Sequence, residues 1–364
     1  MIGRGKCCMS LLALATFLGG HAVAEPYLAV RYGLKCETCH VNPTGGGLRS
    51  EFGDVFAQTE LPAHPIRGNW GLWTGEVMSW LRVGGDTRYD ANFTQTPGEP
   101  GTDHLKMQQG RVYAEAQPIP NRLLFYVDEQ VTPGGLATHE AYAIFWSADH
   151  DWYVKGGRMY MPFGFRLEDQ TAFVYDVSSI TMYAPDDGLE FGWMHDHWDT
   201  QVTVTNATAA GALPATNGKE YGLQASYVEP GWRLGVAAHD DDSPFARRKI
   251  FGVFGGLRAG PIAWLTEVDR VENEWAPEAG VTQTGLLLEG DWLIARGNNL
   301  KLTFERYDPN RSVPDNGEGR WSLVYELTPV QFVQLRAGVR DYYGPASVPA
   351  QRSRLFFVQL HGFF

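Results

Sequence analysis

From about residue 70 to the end of the chain, apolar and polar residues alternate with a period of two, and this rhythm constrains the fold more than any other feature. Successive side chains of a strand point to opposite faces, so alternation repeated over many segments specifies sheet rather than helix. In 320–327, Trp321, Leu323, Tyr325 and Leu327 face one way while Arg320, Ser322, Val324 and Glu326 face the other. In 332–340, Val333, Leu335, Ala337 and Val339 oppose Phe332, Gln334, Arg336, Gly338 and Arg340, and in 300–305, Leu300, Leu302 and Phe304 oppose Lys301, Thr303 and Glu305. One face is greasy and the other charged.

Sixteen segments of this kind can be placed, near 70–84, 104–117, 121–131, 137–147, 151–162, 188–195, 198–206, 219–228, 231–239, 248–258, 261–271, 282–293, 298–307, 319–327, 330–341 and 352–364. Tight links such as 229–231, 259–261 and 328–330 alternate with longer ones such as 85–103, 163–187 and 308–318. A soluble sandwich would also alternate, so the pattern alone leaves two architectures. An even strand count with short and long connections in turn favours a closed, antiparallel transmembrane β-barrel, with the short turns on the periplasmic side. Phe356, Val358, Leu360 and Phe364 place the closing segment in the lipid-facing register. A lumen of sixteen strands is wide enough for water or a plug, and the 163–187 connection is long enough to fold into it.

The first residues indicate export. Arg4 and Lys6 precede an apolar run from Cys7 to Gly20, and Ala22-Val23-Ala24 offers small residues for a signal peptidase, so 1–24 reads as a signal peptide. The run is short for a membrane span, and Cys7 and Cys8 lack the context of a lipidated cysteine. Losing Arg4 and Lys6 takes the formal charge from −12 to −14, which argues against a nucleic-acid partner. No other stretch is apolar enough for a membrane helix.

Between the signal and the alternating region lies GLKCETCHVNPTGGG, residues 33–47, which holds the two cysteines outside the signal, Cys36 and Cys39, with His40 directly after. In C-x-x-C-H the two thiols can add to the two vinyl groups of one haem while the adjacent imidazole reaches the iron. A disulfide or a thioredoxin-like pair uses the same spacing, but the flanks lack that fold's strand and helix pattern. Zinc would need a second ligand pair, and no further cysteine follows. The reading is one covalent haem c, with Cys36 and Cys39 as attachment points and His40 as proximal iron ligand.

Leu48, Phe52, Val55 and Phe56 fall on one face of a short helix that could cover a porphyrin edge, after a turn built from Pro43 and Gly45 to Gly47. Segment 25–69, about 45 residues long, is close to the size at which a domain needs a staple, and haem would be that staple. The preferred sixth ligand is His64, against an ordinary turn histidine in the 62–65 loop, with Met78 and Met107 further on. The expected organisation is a signal peptide over 1–24, a small α-helical cytochrome c-like segment over 25–69 and an all-β barrel over 70–364.

Gly157-Arg158, Pro162-Phe163-Gly164 and Arg166 resemble the strand-to-loop passage of porins that narrow their own lumen, including the phosphate-selective type. The whole arrangement, with Cys36-x-x-Cys39-His40, Pro43, Leu48, Phe52-Gly53 and Phe56, resembles the fused monohaem cytochrome c-porin family of the bacterial outer membrane. Asp54 stands where that family's pattern has a basic residue. The resemblance implies electron transfer between an extracellular partner, ferrous iron or another small redox donor, and periplasmic c-type cytochromes. That would amount to an iron(II):cytochrome c oxidoreductase activity. The alternative is a diffusion porin for small solutes with a haem-bearing plug as gate or sensor. Outer-membrane lipid surrounds such a barrel, and a homotrimer is the assembly to test for. Hard oxygen ligands for ferrous iron are offered by His239 with Asp240 to Asp242, or by Glu168, Asp169, Asp186 and Asp187, although each set reads more readily as a solvated loop. His195-Asp196-His197 looks like a metal motif but falls in a short turn.

Overall fold

The computed structural model describes residues 25–66, 71–207, 218–242, 247–274 and 278–364. The signal segment 1–24 and the boundary at 69–70 lie outside the described residues. A short strand, β1 (Glu76–Met78), leads into a ring of sixteen: β2 (Leu81–Gln95), β3 (Thr102–Ile119), β4 (Leu123–Thr132), β5 (Ala137–Trp146), β6 (Trp152–Met159), β7 (Asp186–Trp193), β8 (Trp198–Thr205), β9 (Glu220–Glu229), β10 (Trp232–Asp242), β11 (Arg247–Ala259), β12 (Ile262–Asn273), β13 (Thr282–Ala295), β14 (Asn298–Asp308), β15 (Glu318–Leu327), β16 (Val333–Tyr343) and β17 (Arg354–Phe363). Each pairs antiparallel with the next, and β17 returns to β2 from Arg354↔Gln95 to Phe363↔Asp86, so the sheet closes without an edge. β1 is an added arm on β2.

The faces are inverted relative to a soluble protein. Val236, Val253, Val268 and Val358 are about half exposed on the outside, whereas Lys155, Glu140, Asp269 and Glu305 are fully buried inside. A sandwich would bury the valines, so the barrel is the arrangement that satisfies the pattern. Trp152, Trp193, Trp198, Trp232, Trp264 and Trp292 stand exposed toward the end where the short turns lie, an aromatic belt at a lipid–water boundary. The fold is a porin-like outer-membrane β-barrel.

Fifteen of the sixteen segments fall close to where the alternation puts them, and the first does not. The segment expected at 70–84 is at 81–95, and most of the connection expected at 85–103 is strand. Its outward positions are Thr87, Tyr89, Ala91 and Phe93, and two of the four are too small or polar to register as an apolar face.

The lumen is filled from both ends. The connection 160–185, with helix α4 (Phe173–Ser178), turns inward as its length suggested and buries Phe163, Phe165, Leu167, Val174 and Val177 in one cluster with the wall residues Ile250, Phe254, Leu265 and Leu287. Phe165 N–H donates to Glu267 at 2.8 Å, Phe173 N–H to Glu305 at 2.9 Å, and Asp169 is paired with Arg320 and Arg340. From the short-turn end comes the amino-terminal segment with helices α1 (Pro26–Tyr32), α2 (Cys36–Cys39) and α3 (Glu51–Thr59). Tyr27, Leu28 and Val30 join the same cluster.

Candidate functional site

Helix α1 starts on Pro26, whose fixed φ suits a first turn, and stops at Gly33, which is left-handed at φ 66°. A Cβ on Gly33 would lie 2.6 Å from Pro230 Cα of the β9–β10 turn, so glycine also lets the chain pass the rim. The single turn of α2 carries both cysteines, and His40 N–H closes it onto Cys36 O at 3.0 Å. The chain then reverses through Gly45, Gly46 and Gly47, all at positive φ. At Gly47 a Cβ would sit 2.1 Å from Tyr126 Oη, the hydroxyl that accepts Leu48 N–H at 3.0 Å. Glycine is required there for both backbone and space.

Helix α3 is capped by Ser50, whose Oγ accepts Gly53 N–H at 3.0 Å and donates to Thr38 O at 2.6 Å. The helix begins at Glu51 rather than Leu48, and its buried face is Gly53, Asp54, Ala57 and Gln58. The apolar face expected from Leu48, Phe52, Val55 and Phe56 is therefore not the docked one. Phe56 alone of these lines the cavity beside the cysteines, while Phe52 stacks on it at 5.9 Å and is 48% exposed. Gly53 crosses so near the motif that a Cβ would lie 2.1 Å from Cys39 O.

Polar contacts with the wall hold the segment in register. Asn42, fully buried, donates to both oxygens of Glu140 at 2.9 and 3.0 Å. Asp54 accepts from Arg82 at 3.1 Å, and Arg166 of the inward connection donates to Thr44 at 2.8 Å. None of these pairings was marked in the sequence, since each partner is an ordinary polar residue far along the chain.

Cys36, Cys39 and His40 line a common cavity, bounded by apolar Leu28, Leu34, Phe56, Phe165 and Phe254 and by the basic side chains of Arg166 and Arg233. The thiols are not joined in a disulfide. Burial pushes the Cys36 thiol up and the Cys39 thiol up to about 11, the opposite of an activated redox thiolate. Burial, with Arg49 beside it, pushes His40 down to about 3, so the imidazole is neutral, and its Nδ1 is buried with no hydrogen-bond partner. A buried ring nitrogen without a partner is costly, although the ring also meets the backbone of Gly46 and Gly47. Two thiols and one imidazole on an apolar slot with cationic corners fit a covalently tethered macrocycle that bears carboxylates.

His64 does not join this group. It is exposed, with its backbone N–H on Pro329 O at 2.8 Å in the β15–β16 turn, and it does not line the cavity. Met78 and Met107 are also exposed, and neither lines the cavity. His40 is the one histidine among the lining residues, which include no methionine.

The acidic sets do not converge on an ion. His239 lies in the lumen rather than in an outer loop, with Nδ1 at 2.8 Å from Glu220 and Nε2 at 3.0 Å from Pro162 O. Asp240, Asp241 and Asp242 alternate between the two faces of β10, so they cannot share a cation. Glu168 is paired with Arg88 and Arg336, whose charges hold its carboxyl below the usual range. His195 contacts Asp151 at 3.0 Å in its short turn and is half exposed.

Replacing Gly53 by alanine is expected to undock α3. Alanine favours a helix by about 1 kcal/mol over glycine, but overpacking against a carbonyl costs about 1–3 kcal/mol or more. Faster hydrogen exchange over 36–59, with the strands unchanged, is the expected measurement.

No protein-family model matches the chain, and no curated protein matches it. Solved outer-membrane barrels do. An anion-selective porin of Comamonas acidovorans superposes with a TM-score of 0.59 at 12% identity, over 78% of this chain and 99% of that one. A loop-deletion mutant of OmpT, an outer membrane protein of Vibrio cholerae, gives 0.58 at 11%, over 79% and 100%. OprB of Pseudomonas putida gives 0.57 at 10%, over 78% and 94%. At these identities the likeness establishes the fold.

Proposed function

We propose that this protein transfers electrons across the bacterial outer membrane through one haem c held in the barrel lumen by Cys36, Cys39 and His40. The observation that carries the reading is the convergence of both thiols and the His40 imidazole on one lumenal cavity. A bound haem would supply one-electron redox chemistry at a potential set by ligands and surroundings. Cys36 and Cys39 would hold it through thioethers to its two vinyl groups, and His40, neutral through burial, would ligate its iron. Arg166 and Arg233 would supply positive charge for its carboxylates, and Phe56, Phe165 and Phe254 would exclude water. His64 is exposed and does not line the cavity, so it is not retained as distal ligand, and the lining residues supply no other histidine or methionine.

The short turns face the periplasm in this reading, so the amino-terminal segment sits on the periplasmic side of the plug. A second cleft reaches His40 from that end, past Arg122 and His150 and between Glu37 and Glu51, and gives a soluble periplasmic cytochrome a way in. On the other side the plug and the 160–185 connection leave the donor to dock at or within the outer mouth. A small donor such as ferrous iron suits that geometry.

Proteoliposomes test this directly. With an oxidised soluble c-type cytochrome trapped inside and an impermeant ferrous chelate outside, the trapped cytochrome should become reduced only when the holo-protein spans the membrane. Reduction at the rate of empty liposomes would overturn the reading. The alternative, a diffusion porin gated by its plug, draws on the porin-like fold and on a space beside the plug lined by Arg88, Arg111 and Arg166. It predicts efflux of a trapped small anion without electron transfer. Association into trimers belongs to either reading; one solved form of the Vibrio cholerae protein is a trimer.

A further inference from the structure

Where the described chain begins, the lumen wall holds more negative charge than its cations match. Glu25, Glu289, Asp291 and Glu326 are each more than nine-tenths buried around the ammonium of Lys301. Its Nζ lies 2.5 Å from Glu25, 3.6 Å from Glu289, 3.8 Å from Asp291 and 3.6 Å from Glu326. Arg336 reaches Glu326 at 3.2 Å but divides its charge with Glu168 at 3.4 Å. Asn299 donates to Asp291 Oδ1 and to Glu326, at 3.0 and 2.9 Å. Asp291 Oδ2 remains buried without a partner. One oxygen each from Glu25, Asp291 and Glu326 lies within 4.8 Å of the others, so a further cation could meet all three. Buried carboxylates in excess of their cations are strongly unfavourable, so either protons or a further cation must neutralise them.

Glu25 is also the residue that cleavage after Ala24 leaves first. We propose that this cleavage makes the missing cation: the new α-ammonium of Glu25 binds the cluster of Glu25, Asp291 and Glu326 and locks the amino-terminal segment to the barrel wall. In the peptidase step one water is consumed, Ala24 keeps the carboxylate and Glu25 takes the ammonium. Covalent geometry puts that nitrogen within about 5 Å of its own side-chain carboxylate, and the contact of that carboxylate with Lys301 Nζ at 2.5 Å holds the residue at the wall. An ammonium brings three donors and a single charge, which suits oxygens that already share Lys301; a divalent ion would stand against that ammonium. An uncleaved chain has only a neutral amide at this point, so the plug seats fully only after processing. The inference is independent of the haem.

The test uses the mature protein purified from outer membranes, with N-hydroxysuccinimidyl acetate at neutral pH and mass spectrometry of the amino-terminal peptide. A free α-amine, with pKa about 8 against about 10.4 for lysine, would be acetylated first. The expected result is a first residue of Glu25 whose α-amine reacts about tenfold or more slowly in the folded protein than in guanidinium, one pKa unit being tenfold in free amine. An Asp291→Asn, Glu326→Gln variant, its barrel verified by heat-modifiable gel migration, should lose that protection. Equal folded and unfolded rates, a different or blocked first residue, or a stoichiometric divalent metal with a reactive α-amine would each overturn the proposal.

Discussion

Deleting residues 26–66 is expected to turn a barrel that passes almost no ionic current in a planar bilayer into an open aqueous pore. A ring of sixteen strands leaves a water-filled channel unless something occupies it. Here the occupant is anchored by Asn42 on Glu140, Asp54 on Arg82 and Leu48 on Tyr126, and its helix α1 packs into the cluster around Phe254 and Leu265. The wall does not depend on the plug for its backbone hydrogen bonds, because each of the sixteen ring strands, β2 to β17, is paired on both sides. Water can solvate the charged residues that the deletion uncovers. The inward connection 160–185 remains and narrows the passage, so the conductance should fall below that of an unobstructed barrel of this size. Equal currents from the parent and the deleted chain would mean that the lumen conducts beside the plug, and the diffusion-porin reading would then stand.

The second large effect is expected from a Cys36→Ala, Cys39→Ala variant. Burial keeps both thiols protonated, and the proposed function gives them the role of covalent attachment points. Without them the variant should reach the outer membrane as a folded barrel, carry no covalent haem and transfer no electrons. The amino-terminal segment should also loosen, since a ligand that binds only the folded form stabilises it in proportion to its affinity. Protease digestion of 25–66 in the variant but not in the parent, with heat-modifiable migration retained by both, is the expected pattern. Retention of covalent haem by the variant would refute the assignment of the two cysteines. His40→Ala is a milder change: it should leave the thioethers and remove the axial nitrogen, altering the absorption spectrum and potential without abolishing attachment.

Local signals in the sequence were enough to read the ring of strands, because each needs only the two-residue period and a turn. The strand at 81–95 escaped because Thr87 and Ala91 interrupt its apolar face. Likewise the C-x-x-C-H motif is local, and the length of the 163–187 connection anticipated its inward fold. What holds the site together is not local: Asn42 and Glu140 are 98 residues apart, and Glu25 and Lys301 are 276 apart. Each side chain reads alone as an ordinary polar residue. The docked face of α3 was misread for a related reason. Its closest approach uses a hydrogen atom at Gly53, and no scale of apolarity marks a glycine as the contact. In the same way His239 followed by three aspartates looked like a ligand set until strand alternation separated them.

The central claim is that one haem is covalently bound inside this barrel. Intact-mass and redox difference spectra of the mature protein, purified from the outer membrane of a host that matures c-type cytochromes, test it most directly. The account predicts the polypeptide mass plus one haem, with absorption bands that change reversibly on reduction and reoxidation. A protein with the bare polypeptide mass and no redox-sensitive absorption would contradict it.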